Sequence, residues 1–163
     1  MESSEEVLGA HIKAGTVWLA LLSEDGQLVD DRVDRLVLHD DTLPAMRALS
    51  EHEESLEELL NRLRPASMAL LKAGSGLNSP AQSDSLRRGW LEGTVMLSCY
   101  RTATNLELVT HDAVKKMIGT RPSDRSFSAI ATTRLGSSTP NRWTERAPAY
   151  GAGAVALAKR TGS

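Results

Sequence analysis

Ser67-Met68-Ala69-Leu70-Leu71 is the stretch that most restricts what this chain can fold into. It is apolar past its first residue, too short for a helix, and lies between Pro65 and the loop Gly74-Ser75-Gly76. A strand with one wet face alternates polar and apolar residues. An unbroken apolar run expects protein on both faces, as in a parallel strand inside a helix-covered sheet. The rest of the chain must supply the neighbouring strands and the covering helices.

The neighbours are legible. Residues 7–22 read as two strands joined by a tight turn near Lys13-Ala14-Gly15, and Asp25-Gly26 marks a second hairpin turn into a third strand across 27–38. Thr42 and Pro44 suit the start of a helix in which Met46, Leu49, Leu56, Leu59, Leu60 and Leu63 recur at helical spacing. Its outer face carries Glu51, Glu53, Glu54, Glu57 and Glu58, a pattern that usually marks a solvated surface. After the buried strand, a long helix is predicted over 82–103 and a fifth strand over 106–109. Helices then follow over 112–118, 122–134 and 147–159, the last rich enough in Ala and Gly to lie flat on a sheet. The order β-β-β-α-β-α-β-α-α-α predicts a single α/β domain over 1–163, ordered over about 6–160, with a mixed sheet covered on both faces.

Composition narrows the function classes. The chain is 163 residues long with a net charge of −2, but residues 1–63 hold 15 acidic and 5 basic side chains, whereas 64–163 hold 6 and 14. Such a split suggests one face built for a polyanion, or simply one exposed acidic helix. No apolar run suits a membrane span, the acidic start lacks a signal peptide's basic region, and a cytoplasmic location is expected. The lone Cys99 sits among apolar residues and reads as a structural thiol. No Gly-x-Ser-x-Gly or phosphate-loop motif is present. Trp143, flanked by Arg142 and Arg146, suits either base stacking or packing.

Several segments, in order, carry a resemblance: Val7-Leu8-Gly9-Ala10-His11-Ile12-Lys13-Ala14-Gly15, Arg64-Pro65 through Leu71, Leu86 through Leu97, Val114-Lys115-Lys116-Met117-Ile118-Gly119, and Gly151 through Ala158. Together they resemble the RNase H-like superfamily, and within it the RuvC-type Holliday-junction resolvases. The resemblance implies a nuclease scaffold whose carboxylates hold divalent cations, a DNA-contacting loop over 74–83 with the helix after it, and a homodimer through that helix. Carried over residue by residue, the catalytic acids are degenerate: they fall on His11, Leu71, Tyr150 and Gly153. Hard divalent cations want converging oxygen ligands, and these positions offer none.

The basic positions persist. Lys115, Lys116 and Arg125 stand where the resemblance places phosphate contacts, and Lys72, Arg87 and Arg88 complete the expected nucleic-acid surface. The resulting expectation is a pseudo-nuclease, not an enzyme, that binds branched DNA or another structured nucleic acid without a cofactor. The alternative is an assembly subunit that reuses the fold without binding nucleic acid, and meets a protein partner or a second copy through the acidic helix or the helix around Trp90 and Gly93. A minor alternative is a metal-dependent nuclease with relocated acids such as Glu107 or Asp112. No metal site is expected, although His11 and His111 sit near the ends of neighbouring strands, where a two-histidine remnant for a softer metal is conceivable.

Overall fold

The computed structural model describes residues 5–37, 45–73, 82–136 and 139–162. Its elements run β1 (Val7–Lys13), β2 (Thr16–Leu22), β3 (Arg35–Val37), α1 (Ala45–Leu63), β4 (Ser67–Leu71), α2 (Gln82–Arg101), β5 (Leu106–Val109), α3 (His111–Ile118), α4 (Phe127–Leu135) and α5 (Trp143–Thr161). One five-stranded sheet has the order β3-β2-β1-β4-β5. Its first three strands are antiparallel, whereas β1–β4 and β4–β5 pair in parallel.

β4 occupies the place its composition requires, between two strands with all five residues buried. Alternation along the strands divides the core into two layers. Leu8, Ala10, Ile12, Leu19, Met68 and Leu70 pack with α1 and α2; Val7, Ala20, Leu22, Ala69 and Leu71 pack with α3, α4 and α5. By the same alternation, Gly9 and His11 belong to the α5 side of β1. The β1–β2 turn forms where Ala14 and Gly15 both take positive φ, 50° and 76°, as a two-residue hairpin turn demands.

Three predicted boundaries move. The third strand shrinks to Arg35–Val37, preceded by one bridge between Leu22 and Leu28. Val29 and Val33 resemble strand residues, but Asp30 folds back onto Arg32 and interrupts the run. α4 begins at Phe127, because Asp124 spends its carboxylate on the Thr120 hydroxyl and the Arg121 amide in a separate turn. α5 begins four residues before the predicted start, with Trp143 leading and Pro148 inside it. α3 is capped by Thr110, whose hydroxyl accepts from the Ala113 amide at 3.1 Å. The predicted helix start at Thr42 and Pro44, and the loop residues 74–81 with Asn78, lie outside the described residues.

Cys99 is buried, its thiol 3.6 Å from the Met68 sulfur and raised by burial to about 11, so it is chemically quiet. Trp143 is likewise a packing residue: its indole N–H donates to the Ser128 carbonyl at 2.9 Å and its ring lies 5.4 Å from Tyr150. The acidic face of α1 is only partly free, since Glu53 and Glu57 both pair with Arg101 of α2.

Candidate nucleic-acid interface

A cleft of about 690 Å³ opens at the C-terminal end of β1. His11, Ile12 and Lys13 reach it from the strand, and Ala14 and Gly15 from the hairpin turn. Arg87 and Arg88 come from α2, His111 from the start of α3, Pro122 to Arg125 from the α3–α4 turn, and Thr144, Glu145 and Pro148 from α5. In open α/β sheets, ligands collect at the carboxyl ends of parallel strands, so the place is a natural one.

Arg88 organises it. Its Nη1 donates to the Ile12 carbonyl at 2.7 Å, its Nη2 to the Leu71 carbonyl at 3.1 Å, and its Nε to Glu92 at 2.9 Å. One guanidinium thus ties α2 to the ends of two adjacent strands. The register pairs Ala10 with Leu70, and one further step sets His11 opposite Leu71. Two of the positions that the resemblance assigns to acids therefore lie side by side beneath Arg88. Leu71 turns its side chain into the core and presents only its carbonyl.

The other two lie elsewhere. Tyr150 packs on Trp143, and Gly153 presses against Gly9 and Leu22, so neither lines the cleft. α5 faces the cleft with Thr144, Glu145 and Pro148, about one and a half turns earlier than the resemblance places its acids. Glu107 pairs loosely with Lys159, and Asp112 with Arg121, each at 3.9 Å. Neither is among the cleft's lining residues; the acids that are, Asp124 and Glu145, were not singled out from the sequence.

The histidines are held neutral. Burial, reinforced by Arg88, His111 and Lys13, lowers His11 to about 3. Its Nδ1 is buried without a hydrogen-bond partner among the described residues. His111 is lowered by burial and by Arg88, against a hydrogen bond to the Lys72 backbone that favours its charged form. Because folded His11 refuses a proton that the unfolded chain accepts, stability is full above the ordinary histidine value of 6.5 and drains as pH falls toward about 3. The expected result is a melting temperature that declines more steeply between pH 6.5 and pH 4 for the native chain than for His11→Asn. Parallel declines in the two proteins would refute this.

The divalent cations that the resemblance implies do not fit this donor set. The two strand-end carbonyls already accept from a guanidinium, and His11 offers one imidazole nitrogen beside Arg88 and Lys13, which repel a cation. Among the described residues no group of three or more His, Cys, Asp or Glu side chains converges on one point.

Of the expected phosphate contacts, the structure brings Arg87, Arg88 and Arg125 together around the cleft. Lys72, Lys115 and Lys116 are exposed outside it, Lys72 just beyond β4 and the other two on α3. Lys13 joins the cleft from the last position of β1; nothing in a strand end beside a tight turn signals that it will overhang a site.

The architecture has known counterparts. The Thermus thermophilus RuvC structure superposes with a TM-score of 0.77 over 96% of both chains, at 16% identity. The fold is that of RuvC. T. thermophilus RuvC in complex with a Holliday junction substrate gives a TM-score of 0.75 at 17% identity, again over 96% of both chains. The yeast mitochondrial Holliday junction resolvase Ydc2 gives 0.60 at 12% identity, over 95% of this chain and 78% of that one. No family model and no curated protein matches the sequence. The likeness to RuvC therefore lies in the path of the backbone, while the side chains at the cleft must be read on their own chemistry.

Proposed function

We propose that this chain is a RuvC-like module that binds structured nucleic acid, branched DNA foremost, and does not cut it. The observation that carries the reading is the exchange at the carboxyl ends of β1 and β4, where a guanidinium lies over His11 and Leu71 in a cleft with four basic and two acidic lining residues. A phosphodiester backbone meets attraction there. Among the described residues, a hydrolytic reaction finds no converging carboxylates to hold hard cations. The RuvC–junction complex shows that this backbone architecture accommodates branched DNA in one protein that shares it.

The test is binding to four-way-junction, duplex and single-stranded DNA across a salt series, with Mg²⁺ or Mn²⁺ present and cleavage watched on the same gels. Tight, junction-preferring, salt-sensitive binding without cleavage is expected. Replacing Lys115, Lys116 and Arg125 together by alanine is expected to flatten the slope of log affinity against log salt by about 3, one for each phosphate contact. Absence of binding at low salt would remove the reading, and metal-dependent cleavage would restore the nuclease alternative.

A second reading, an assembly subunit, draws on a different surface. Leu86, Trp90, Leu97 and Tyr100 are exposed along α2, and Cβ atoms built at Gly89 and Gly93 meet nothing within 4 Å. An apolar stripe flattened by glycines suits a second helix laid against it. We take its occupant to be a second copy of the chain. Light scattering is expected to give a dimer mass for the native chain and a monomer for Trp90→Glu with an unchanged circular dichroism spectrum; a native monomer would leave the stripe unexplained.

A further inference from the structure

We infer that Arg88 takes the part of a divalent cation in this cleft: a phosphate of the bound strand docks on its guanidinium, and the docking needs no metal ion. This role presupposes the nucleic-acid reading above and adds to it the ligand group and its anchor.

The ends of β1 and β4 present the Ile12 and Leu71 carbonyls to one point, and Arg88 has already filled it with fixed positive charge. A guanidinium has five N–H groups. Three donate to Ile12, Leu71 and Glu92, so each terminal nitrogen keeps one that these bonds do not use. The side chain is 21% exposed, so it is neither sealed in the core nor free in solvent. Held by two main-chain carbonyls and an ion pair, it is preorganised, and little rotamer freedom remains to be lost when an anion arrives. Its planar fork matches two phosphate oxygens, which a lysine ammonium does not.

Glu92 offsets part of the Arg88 charge. The surplus comes from Lys13, Arg87 and Arg125 on the same cleft, against Asp124 and Glu145. Asp124 is engaged by the Thr120 hydroxyl at 2.5 Å and the Arg121 amide at 3.1 Å, so its carboxylate is turned to the turn that it closes. A hydrated Mg²⁺ entering the same point would have to displace the guanidinium from both carbonyls or stand beside it, and the His11 nitrogen, unpartnered among the described residues, is poor recompense for a hard cation.

The experiment uses the full chain and a labelled four-way junction at fixed ionic strength, in EDTA and in Mg²⁺, together with a Mn²⁺ titration of the protein alone followed by water-proton relaxation. Equal affinity in the two buffers and no saturable Mn²⁺ site are expected. Arg88→Met, checked for folding by circular dichroism, is expected to lose about tenfold in affinity and to flatten the salt slope by about 1, with Arg88→Lys recovering part of both. Three results would overturn the role of Arg88 while leaving DNA binding intact: binding that requires Mg²⁺, a saturable Mn²⁺ site abolished by His11→Ala, or a folded Arg88→Met with native affinity and slope. If Arg88→Met does not fold, the buffer comparison and the Mn²⁺ titration on the native chain still decide. No junction binding in any buffer would refute the nucleic-acid reading itself, and this role with it.

Discussion

Gly9→Ala is expected to be the most damaging single-methyl change in the protein. β1 and α5 cross with backbone against backbone at this point. A Cβ at Gly9 would drive into the Ala149 carbonyl, standing 2.9 Å from its carbon and 3.0 Å from the Gly153 nitrogen. These are main-chain atoms in the middle of a helix, so no rotamer change relieves the clash. Either α5 lifts from the sheet or β1 bends. Overpacking a core typically costs about 1–3 kcal/mol, and a rigid obstacle puts this site at or beyond the top of that range. For a chain of this length that is a fall of roughly 10 °C in melting temperature. Gly93→Ala supplies the contrast, since it lies in a helix with open space around the new methyl and is expected to gain up to about 1 kcal/mol. Thermal melts of both variants, at concentrations where the chain is monomeric, check the pair. A Gly9→Ala melt within a degree or two of the native one would mean that β1 and α5 are not in contact as described.

The same crossing explains what the sequence could and could not disclose. β4 declares itself because a short apolar run has few other uses, and the β1–β2 turn because Ala14-Gly15 fits a tight reversal. Local composition is enough for both. β3 misleads because Val29 and Val33 imitate strand spacing, while Asp30, Asp31 and Asp34 are engaged by Arg32, Arg146 and Asn141. Two of those partners are more than 100 residues away, beyond the reach of local pattern. The cleft divides in the same way. Arg87, Arg88 and Arg125 were recoverable because the resemblance aligns them, but that Arg88 spans the carbonyls of Ile12 and Leu71 is a fact about two strand ends meeting. The final helix shows the difficulty most plainly. The resemblance sets the lost acids at Tyr150 and Gly153, which pack against Trp143, Gly9 and Leu22, and nothing in the composition of an Ala- and Gly-rich helix tells that Glu145 is an α5 acid lining the cleft.

Arg146→Met is expected to cost at least about 3 kcal/mol, roughly 1 kcal/mol for each of three main-chain carbonyls left without a donor. Arg146 has no exposed surface, yet it carries a full charge at the junction of α5, β2 and the segment before β3. Its guanidinium donates to the carbonyls of Leu19 at 2.9 Å, Val33 at 3.1 Å and Asn141 at 2.9 Å, and to the Asp31 carboxylate at 2.5 Å. Methionine approximates the volume but donates nothing. Three main-chain carbonyls would lose a donor, and unlike side chains they cannot be replaced by apolar groups to recover the loss. The ion pair is the smaller part, because Asp31 is 53% exposed and water can take over its carboxylate. Asp31→Asn is therefore expected to cost no more than about 1 kcal/mol. Urea unfolding of the two variants separates these contributions, and equal losses would show that the charge pair dominates over the carbonyl bonds. Hydrogen exchange adds a local readout. The Leu19 amide donates to the Asp34 carbonyl at 2.8 Å, so loosening the segment around Val33 should speed its exchange in Arg146→Met. Arg146 directly follows Glu145, which lines the cleft, so the bonds that anchor the start of α5 also fix one wall of that cleft. Arg146→Met should accordingly weaken junction binding even where the protein remains folded, although Arg146 itself is buried out of reach of any phosphate.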